Sequence, residues 1–400
     1  MKSTIFAFLI LHCLVISTKA QWVLSNNGLS GSTAYSFCKN SDFIYVGMES
    51  HGIYKSSDYG GTWQFSNLTG TVYSLAAYLN DIYAGFYQTG LYKSTDNGAN
   101  WIGVMYSRTI NSIGICGNNI LAGYFAYFYP SISHGVLVST NSGGSWIGTN
   151  INEATGYCFA ANETFGFTGL QYYGVYRSSN CGLNWSQTSL NDKTVQTVIV
   201  AGNKIFAGTY DGLYTSSDNG MNWTQSTIVN VPVQSLAAIN SHIIVGTIQN
   251  GLYVSSNFGN TWAQKNEGFD SIPPLNALMI SNGYILAGTS GHSVWRRPLS
   301  EILGTGNNYV EIPLKCKLYQ NFPNPFNTST KIKFSVPTLC SVSILIYDIS
   351  GKEIQKILDG KLHPGTYEST FDGSRLSSGI FFYKIFAGAF SETRRMILIK

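Results

Sequence analysis

One phrase, Ser-x-Asp/Asn-x-Gly-x-x-Trp, recurs six times and limits what this chain can fold into more than anything else in it. The copies run Ser56–Trp63, Ser94–Trp101, Ser139–Trp146, Ser178–Trp185, Ser216–Trp223 and Ser255–Trp262. Successive tryptophans stand 38, 45, 39, 38 and 39 residues apart. A supersecondary unit repeated at about 40 residues, with several strands in each copy, is the signature of a β-propeller.

Each part of the phrase has a physical job. An Asp or Asn side chain accepts hydrogen bonds from backbone N–H groups two residues on and so closes a tight turn. Glycine supplies the positive φ that such a turn requires. Tryptophan buries a large ring between neighbouring sheets, at Trp63, Trp101, Trp146, Trp185, Trp223 and Trp262. Three copies carry Asp (Asp58, Asp96, Asp218) and three carry Asn (Asn141, Asn180, Asn257). Asn closes the turn but is a poorer cation ligand, so the phrase reads as a structural staple rather than a metal or catalytic centre. The six copies resemble the Asp-box (BNR) repeat of sialidases, sortilin-type receptors and xyloglucanase-like glycosidases, over about residues 21–299.

A second phrase, an apolar residue with Ala/Val-Gly, a short loop, then Gly-Leu/Ile/Val-Tyr-x-Ser, recurs at Ile82–Ser94, Phe165–Ser178, Ile205–Ser216 and Ile243–Ser255, with a longer variant at Ile120–Ser139. A seventh copy, Tyr284–Trp295, has no box and no outer strand after it. The segment Gln21–Gly28, with Trp22, looks like the missing outer strand. Joining the two ends removes two exposed sheet edges, which predicts an all-β, seven-bladed propeller closed by its N-terminal strand.

Residues 1–20 read as a secretory signal: Lys2, an apolar core Ile5–Ile16, and Thr18-Lys19-Ala20 before Gln21. No other stretch is long and apolar enough to span a bilayer. Residues 300–313 read as a polar linker; its Gly304-Thr305-Gly306 lacks the strand–turn–helix context of a dinucleotide fingerprint. Period-2 segments resume over residues 314–400, separated by Pro, Gly and Asn turns, which predicts a small antiparallel, Ig-like β-sandwich.

Charge divides the chain in the same place. Residues 21–314 hold 10 Lys/Arg against 14 Asp/Glu, and residues 315–400 hold 12 against 6. The basic residues are spread through strand patterns, so no nucleic-acid partner is expected. Six cysteines follow the signal: Cys38, Cys116, Cys158, Cys181, Cys316 and Cys340. None has close paired spacing, so buried free thiols are the expectation, with Cys316 and Cys340 the pair to examine first.

The tail carries a second resemblance. Leu318-Tyr319-Gln320-Asn321-Phe322-Pro323-Asn324-Pro325-Phe326-Asn327 is followed in order by Tyr347–Lys352 with Gly351, Pro364–Tyr367, Leu376–Tyr383 with Gly379, and the closing Lys400. This series resembles type A C-terminal sorting domains of the type IX secretion system. The resemblance implies a Bacteroidetes-type bacterium, passage through the periplasm, the type IX machinery as partner, and a mature protein that is secreted or held at the cell surface.

The boxes sit between third and fourth strands of each blade, so loops between second and third strands lie on the opposite face. Those loops carry Glu49 and His51, Tyr87 and Gln88, Tyr127 and Tyr129, Tyr172 and Tyr173, Tyr210 and Asp211, Gln249, and His292. Exposed Tyr beside Gln and Asn suits sugar rings or extended peptide. The function expected is therefore binding of a glycan or protein ligand by an exported monomer. The alternative is a secreted glycoside hydrolase, xyloglucanase-like or sialidase-like, using Glu49 and Asp211. Four propeller arginines (Arg108, Arg177, Arg296, Arg297), none of them in blade 1, and no Arg-Ile-Pro opening argue against a sialidase. No His-Glu-x-x-His or close Cys-x-x-Cys pair is present, so neither metal nor cofactor is expected.

Overall fold

The computed structural model describes residues 21–128, 131–303, 316–336, 340–362, 365–388 and 390–400. The predicted signal segment, most of the predicted linker and Tyr129 lie outside the described residues. The protein is built of antiparallel sheets, and its one helix among the described residues is the short Leu299–Leu303.

Seven four-stranded sheets precede that helix. Six consist of four strands in chain order, beginning with Ala34–Lys39, Ile44–Met48, Gly52–Ser56 and Gln64–Phe65. The first strand of each sheet packs against the first strand of the next, and Leu275–Ser281 returns to Ala34–Lys39, so the first strands line the axis. In the seventh sheet three strands come from Leu275–Pro298, and the fourth is Val23–Leu24, paired antiparallel to Arg296 and Trp295.

Packing between blades explains the second phrase. All five residues of Ile44–Met48 are buried, because a central strand is covered by sheets on both sides. Gly47 within it has no Cβ because one would lie 2.7 Å from Val72 of the next blade. The same close approach joins Gly85 to Ile110, Gly169 to Val195, Gly208 to Val233, Gly246 to Leu275, and Gly288 to Ala34 across the closing seam. The recurring glycine is therefore an inter-blade contact surface.

The boxes share one hydrogen-bond pattern. Ser56 donates to Asp58 Oδ1 at 2.8 Å, and its oxygen accepts from the Gly60 N–H at 2.8 Å. Asp58 Oδ1 also accepts from the Thr62 N–H at 2.8 Å. The carboxylate thus closes the turn four residues on, not two; the two-residue bond goes to the serine oxygen. Asn141 does the same with Ser145, its Nδ2 donating to the Ser145 hydroxyl at 3.0 Å where Asp58 Oδ2 accepts from Thr62 at 2.8 Å. The residue before each box glycine also has positive φ, from Tyr59 to Phe258. Its carbonyl is a docking point for the preceding blade: Lys55 reaches Asn97, Lys93 reaches Ser142, and Lys204 reaches Phe258.

These bonds hold the box carboxylates in their charged form. Hydrogen bonds from Asn100 (N–H and side chain) and Ser94 lower Asp96 to about 2, and Asn222 and Ser216 do the same for Asp218. A lowered folded-state value gives stability that is complete above the ordinary value of 3.8 and is lost as pH falls toward about 2. Acid titration of an Asp96→Asn/Asp218→Asn variant should show a shallower loss over that window than the wild type; superimposable acid limbs would count against the assignment.

Two box tryptophans, Trp63 and Trp185, are buried, while the other four are half-buried. Trp63 Nε1 donates to the Ser25 carbonyl and Trp101 Nε1 to the Ser66 carbonyl, each on the preceding outer strand. Trp22 repeats this contact, donating to the Lys265 carbonyl at 2.9 Å and stacking on Phe269 at 5.0 Å. The N-terminal segment therefore supplies the tryptophan as well as the strand that the seventh blade lacks.

The cysteine expectation needs correction. Cys116, at the end of a first strand in blade 3, is disulfide-bonded to Cys181, in the box of blade 4, with Cα atoms 5.1 Å apart. Cys38, Cys158, Cys316 and Cys340 are free, so the Cys316–Cys340 pair is not bridged. Equivalent places in other blades hold carboxamide pairs, Asn40 with Asn97 at 2.7 Å and Asn162 with Asn219 at 3.2 Å. The disulfide is the covalent version of that inter-blade clasp.

Beyond the propeller, Lys317–Leu398 forms a three-stranded and a four-stranded antiparallel sheet around one apolar core that includes Phe326, Phe334, Phe371 and Tyr383.

Candidate functional site

The loops between second and third strands are pinned by short backbone contacts. Glu49 N–H donates to the Thr33 carbonyl of its own blade, and Ser50 N–H to the Thr71 hydroxyl of the next. Gln88 with Thr109 and Tyr172 with Thr194 repeat the second contact. Ser50, Gln88 and Tyr172 all have positive φ, so each loop turns sharply before it meets its neighbour. These contacts tie the rim loops of blade 1 to blade 2, blade 2 to blade 3 and blade 4 to blade 5.

On blades 1 and 2 the candidates gather into one cluster. Tyr35 donates to Glu49 Oε1 at 3.2 Å, Tyr35 and Tyr73 meet edge to face at 5.2 Å, and Tyr73 meets Tyr87 at 5.8 Å. Gln88 Nε2 donates to the Tyr87 hydroxyl at 3.0 Å. Burial, then the neighbouring Glu49 charge, pushes Tyr35 up to about 12, so its hydroxyl stays a proton donor. His51 Nδ1 lies 2.8 Å from the Glu49 carbonyl.

Blades 4 and 5 hold a second group. Burial raises the Tyr157 hydroxyl above its ordinary value, with further contributions from nearby Tyr210 and Tyr172. Tyr172 is 70% exposed and Tyr210 51% exposed, each offering an apolar face to solvent. A cleft of about 240 Å³ adjoins Tyr173, between residues 150–154 and the second strand of blade 4. Tyr127 is exposed on the long hairpin of blade 3, where Arg108 lies 4.9 Å over the Tyr124 ring. Gln249 and His292 are exposed and make no side-chain hydrogen bond among the described residues.

The two candidate acids are not brought together. Glu49 belongs to blade 1 and is engaged by Tyr35; Asp211 belongs to blade 5 and pairs with Lys193 at 2.9 Å. Among the described residues no three His, Cys, Asp or Glu side chains converge to hold a metal ion.

Sequence reasoning missed the most regular feature of this face. Each first strand carries a β-bulge, where one residue drops out of register with the second strand. The bulged residues are Tyr35, Tyr73, Asn111, Tyr157, Gln196, Gln234 and Asn276, and all are half-buried. They stand at the end of the innermost strands nearest the candidate loops, around the axis. The residue after several of them stitches the ring: Ser112 donates to the Gly156 carbonyl at 2.7 Å and Ser235 to the Leu275 carbonyl at 2.7 Å. At the closing seam that position is Ala277, and Asn276 Nδ2 reaches the Ala34 carbonyl at 3.1 Å instead. The signal lay in a short recurring string, Thr33-Ala34-Tyr35, Thr71-Val72-Tyr73, Thr109-Ile110-Asn111, Thr194-Val195-Gln196 and Pro232-Val233-Gln234.

In the tail, the signature residues hold their own domain together. Asn321 is buried; its N–H donates to the Tyr383 hydroxyl, and its Nδ2 to Thr330 and the Pro323 carbonyl. Asn324 accepts from the Ile397 N–H, and the peptide bonds before Pro323 and Pro325 are cis. Phe326 packs on Phe371; Gly351 takes positive φ in the turn closed by Asp348. Gly379 opens a strand paired to Leu398, and Lys400 Nζ donates to the Ser374 carbonyl at 2.6 Å.

Family models match three parts of the chain. Residues 320–400 match the secretion system C-terminal sorting domain, residues 128–278 the DUF6242 β-propeller domain, and residues 53–65 the BNR-Asp box repeat. No curated protein matches. Among solved structures, YCF48 from Cyanidioschyzon merolae is 11% identical with a TM-score of 0.55, covering 70% of this chain and 99% of its own. YCF48 bound to D1 peptide is 12% identical with a TM-score of 0.55, covering 70% and 96%. The GH74 enzyme of Niastella koreensis is 18% identical with a TM-score of 0.50, covering 67% of this chain and 43% of that enzyme. These likenesses show the fold. The chain is an Asp-box β-propeller joined to a type IX sorting domain, which directs it to the cell surface or beyond. No helix among the described residues is long and apolar enough to cross a membrane.

Proposed function

We propose that the protein is an exported, non-catalytic glycan binder whose ligand is a neutral saccharide held on the face opposite the Asp boxes. The observation that carries this reading is the pair of tyrosine groups, Tyr35–Tyr73–Tyr87 and Tyr157–Tyr172–Tyr210, on one rim. Tyrosine rings stack on the C–H faces of sugars, while their hydroxyls and neighbouring carboxamides bond to sugar hydroxyls. The two acids near these groups are already engaged, Glu49 by Tyr35 and Asp211 by Lys193, and the ring residues between them, Tyr73, Asn111, Tyr157, Gln196 and Gln234, are all uncharged. The same engagements count against Glu49 and Asp211 as a hydrolytic acid–base pair.

Affinity electrophoresis of the full chain in gels containing xyloglucan, glucomannan, arabinoxylan or polygalacturonate tests the proposal. Retardation is expected in at least one neutral gel and not in polygalacturonate, with about tenfold weaker retention in Tyr87→Ala or Tyr172→Ala. No retardation in any neutral gel would overturn it and turn attention to a peptide ligand. Release of soluble oligosaccharides would replace it with the hydrolase reading.

A further inference from the structure

The bulge ring is unusual in what its side chains leave undone. Tyr73, Asn111, Tyr157, Gln196 and Gln234 make no side-chain hydrogen bond among the described residues. Three outer-strand glutamines, by contrast, are committed to backbone: Gln187 to the Tyr173 carbonyl, Gln225 to Asp211 and Gln264 to Asn250. A β-bulge re-aims a side chain out of the pleat, and bulges concentrate beside binding sites. Here the same device is used on every first strand, and none of the residues it aims is charged.

The ring is also two-sided. Tyrosine occupies the bulge in blades 1, 2 and 4, whereas Gln196 and Gln234 occupy it in the consecutive blades 5 and 6. Each carboxamide is both donor and acceptor, which matches adjacent hydroxyls on a sugar edge. Beside the tyrosines, Asn111 Oδ1 and Arg108 Nε are buried without hydrogen-bond partners. Unsatisfied buried groups of this kind mark where a ligand hydroxyl or ordered water completes a network.

We infer that the bulge ring is the hydroxyl-reading centre of the saccharide site, with Gln196 and Gln234 as its specificity-determining pair. The rim tyrosines Tyr87 and Tyr172 then act as apolar platforms around it. This inference rests on the glycan-binding reading above.

The test is calorimetric titration of the full chain with cellohexaose, xylohexaose and mannohexaose, comparing wild type with Gln196→Leu/Gln234→Leu and Tyr73→Phe. Both variants are expected to melt at the wild-type temperature, because these polar groups bond to nothing inside the protein. The double variant should bind the preferred hexasaccharide at least tenfold more weakly and discriminate less among the three, and Tyr73→Phe should bind about threefold more weakly. Should the double variant bind as tightly as wild type while Tyr87→Ala does not, the ring inference fails and the glycan reading stands. Should wild type bind none of the three, the ring inference fails, and the glycan reading fails with it only if no neutral gel retards the chain either. A double variant that melts early is replaced by Gln196→Glu/Gln234→Glu, which keeps the shape and is expected to weaken binding by the same factor.

Discussion

Replacing Trp22 with alanine is expected to cost the propeller about 3–5 kcal/mol, the range for truncating a large buried aromatic. Trp22 is 1% exposed and packs among Leu252, Leu275, Trp295 and Ile302, so its loss empties the joint between blades 6 and 7. Its indole bond to the Lys265 carbonyl contributes about 1 kcal/mol of that total. The short strand beside it offers only the Val23–Arg296 and Leu24–Trp295 pairings, so without the ring it has little else to hold it. When it leaves, the outer edge of the seventh sheet is uncovered and becomes a template for intermolecular pairing. Urea denaturation should therefore show a lower midpoint for Trp22→Ala, with concentration-dependent aggregation. A cost below about 1 kcal/mol would mean that the seam is held mainly elsewhere. The candidate is Arg297, which is buried and paired with Glu267 at 2.9 Å.

Breaking the Cys116–Cys181 link is expected to cost about 2–4 kcal/mol. The bond closes a 65-residue separation, and chain-entropy arguments give larger effects for longer loops. Cys116→Ser/Cys181→Ser should lower the urea midpoint, and a reductant should lower the wild-type midpoint to match. The repeats offer a sharper control. Asn40 and Asn97 fill the same places two joints away, so Cys116→Asn/Cys181→Asn should recover part of the loss that the serine variant shows. A wild-type midpoint indifferent to reductant would indicate a dithiol, with the stability of that joint residing in apolar contacts around Leu121 and Trp185.

How much of this was legible depends on how strongly each feature repeats. The box is eight residues long with four fixed positions, so six copies specify six sheets, and the boxless copy at Tyr284–Trp295 with the spare strand at Gln21–Gly28 specifies the seventh. The sorting signature is similarly dense from Leu318 to Asn327. The bulge ring is the opposite case. Its residues alternate between Tyr, Asn and Gln, which share hydrogen-bonding capacity but no letter, and only the preceding Thr or Pro marks them. The disulfide was hidden for a related reason, since Cys116 and Cys181 become partners only when two blades are laid over Asn40 and Asn97. Loop residues such as Tyr127 and His292 have no second copy at all, so sequence alone cannot separate a ligand contact from a packing contact there.

The pairing of Val23 with Arg296 carries a consequence for how the molecule comes into being. Partners so far apart in sequence are slow to meet, and chains are made N-terminus first. The first strand to emerge therefore has no strand to pair with until blade 7 has been made. A chain in that state is an open arc with a sticky segment at each end, able to accept another arc as readily as itself. For an exported protein that interval is the vulnerable one, and factors that keep the leading segment occupied until blade 7 arrives would raise the yield of closed rings more than any gain in final stability.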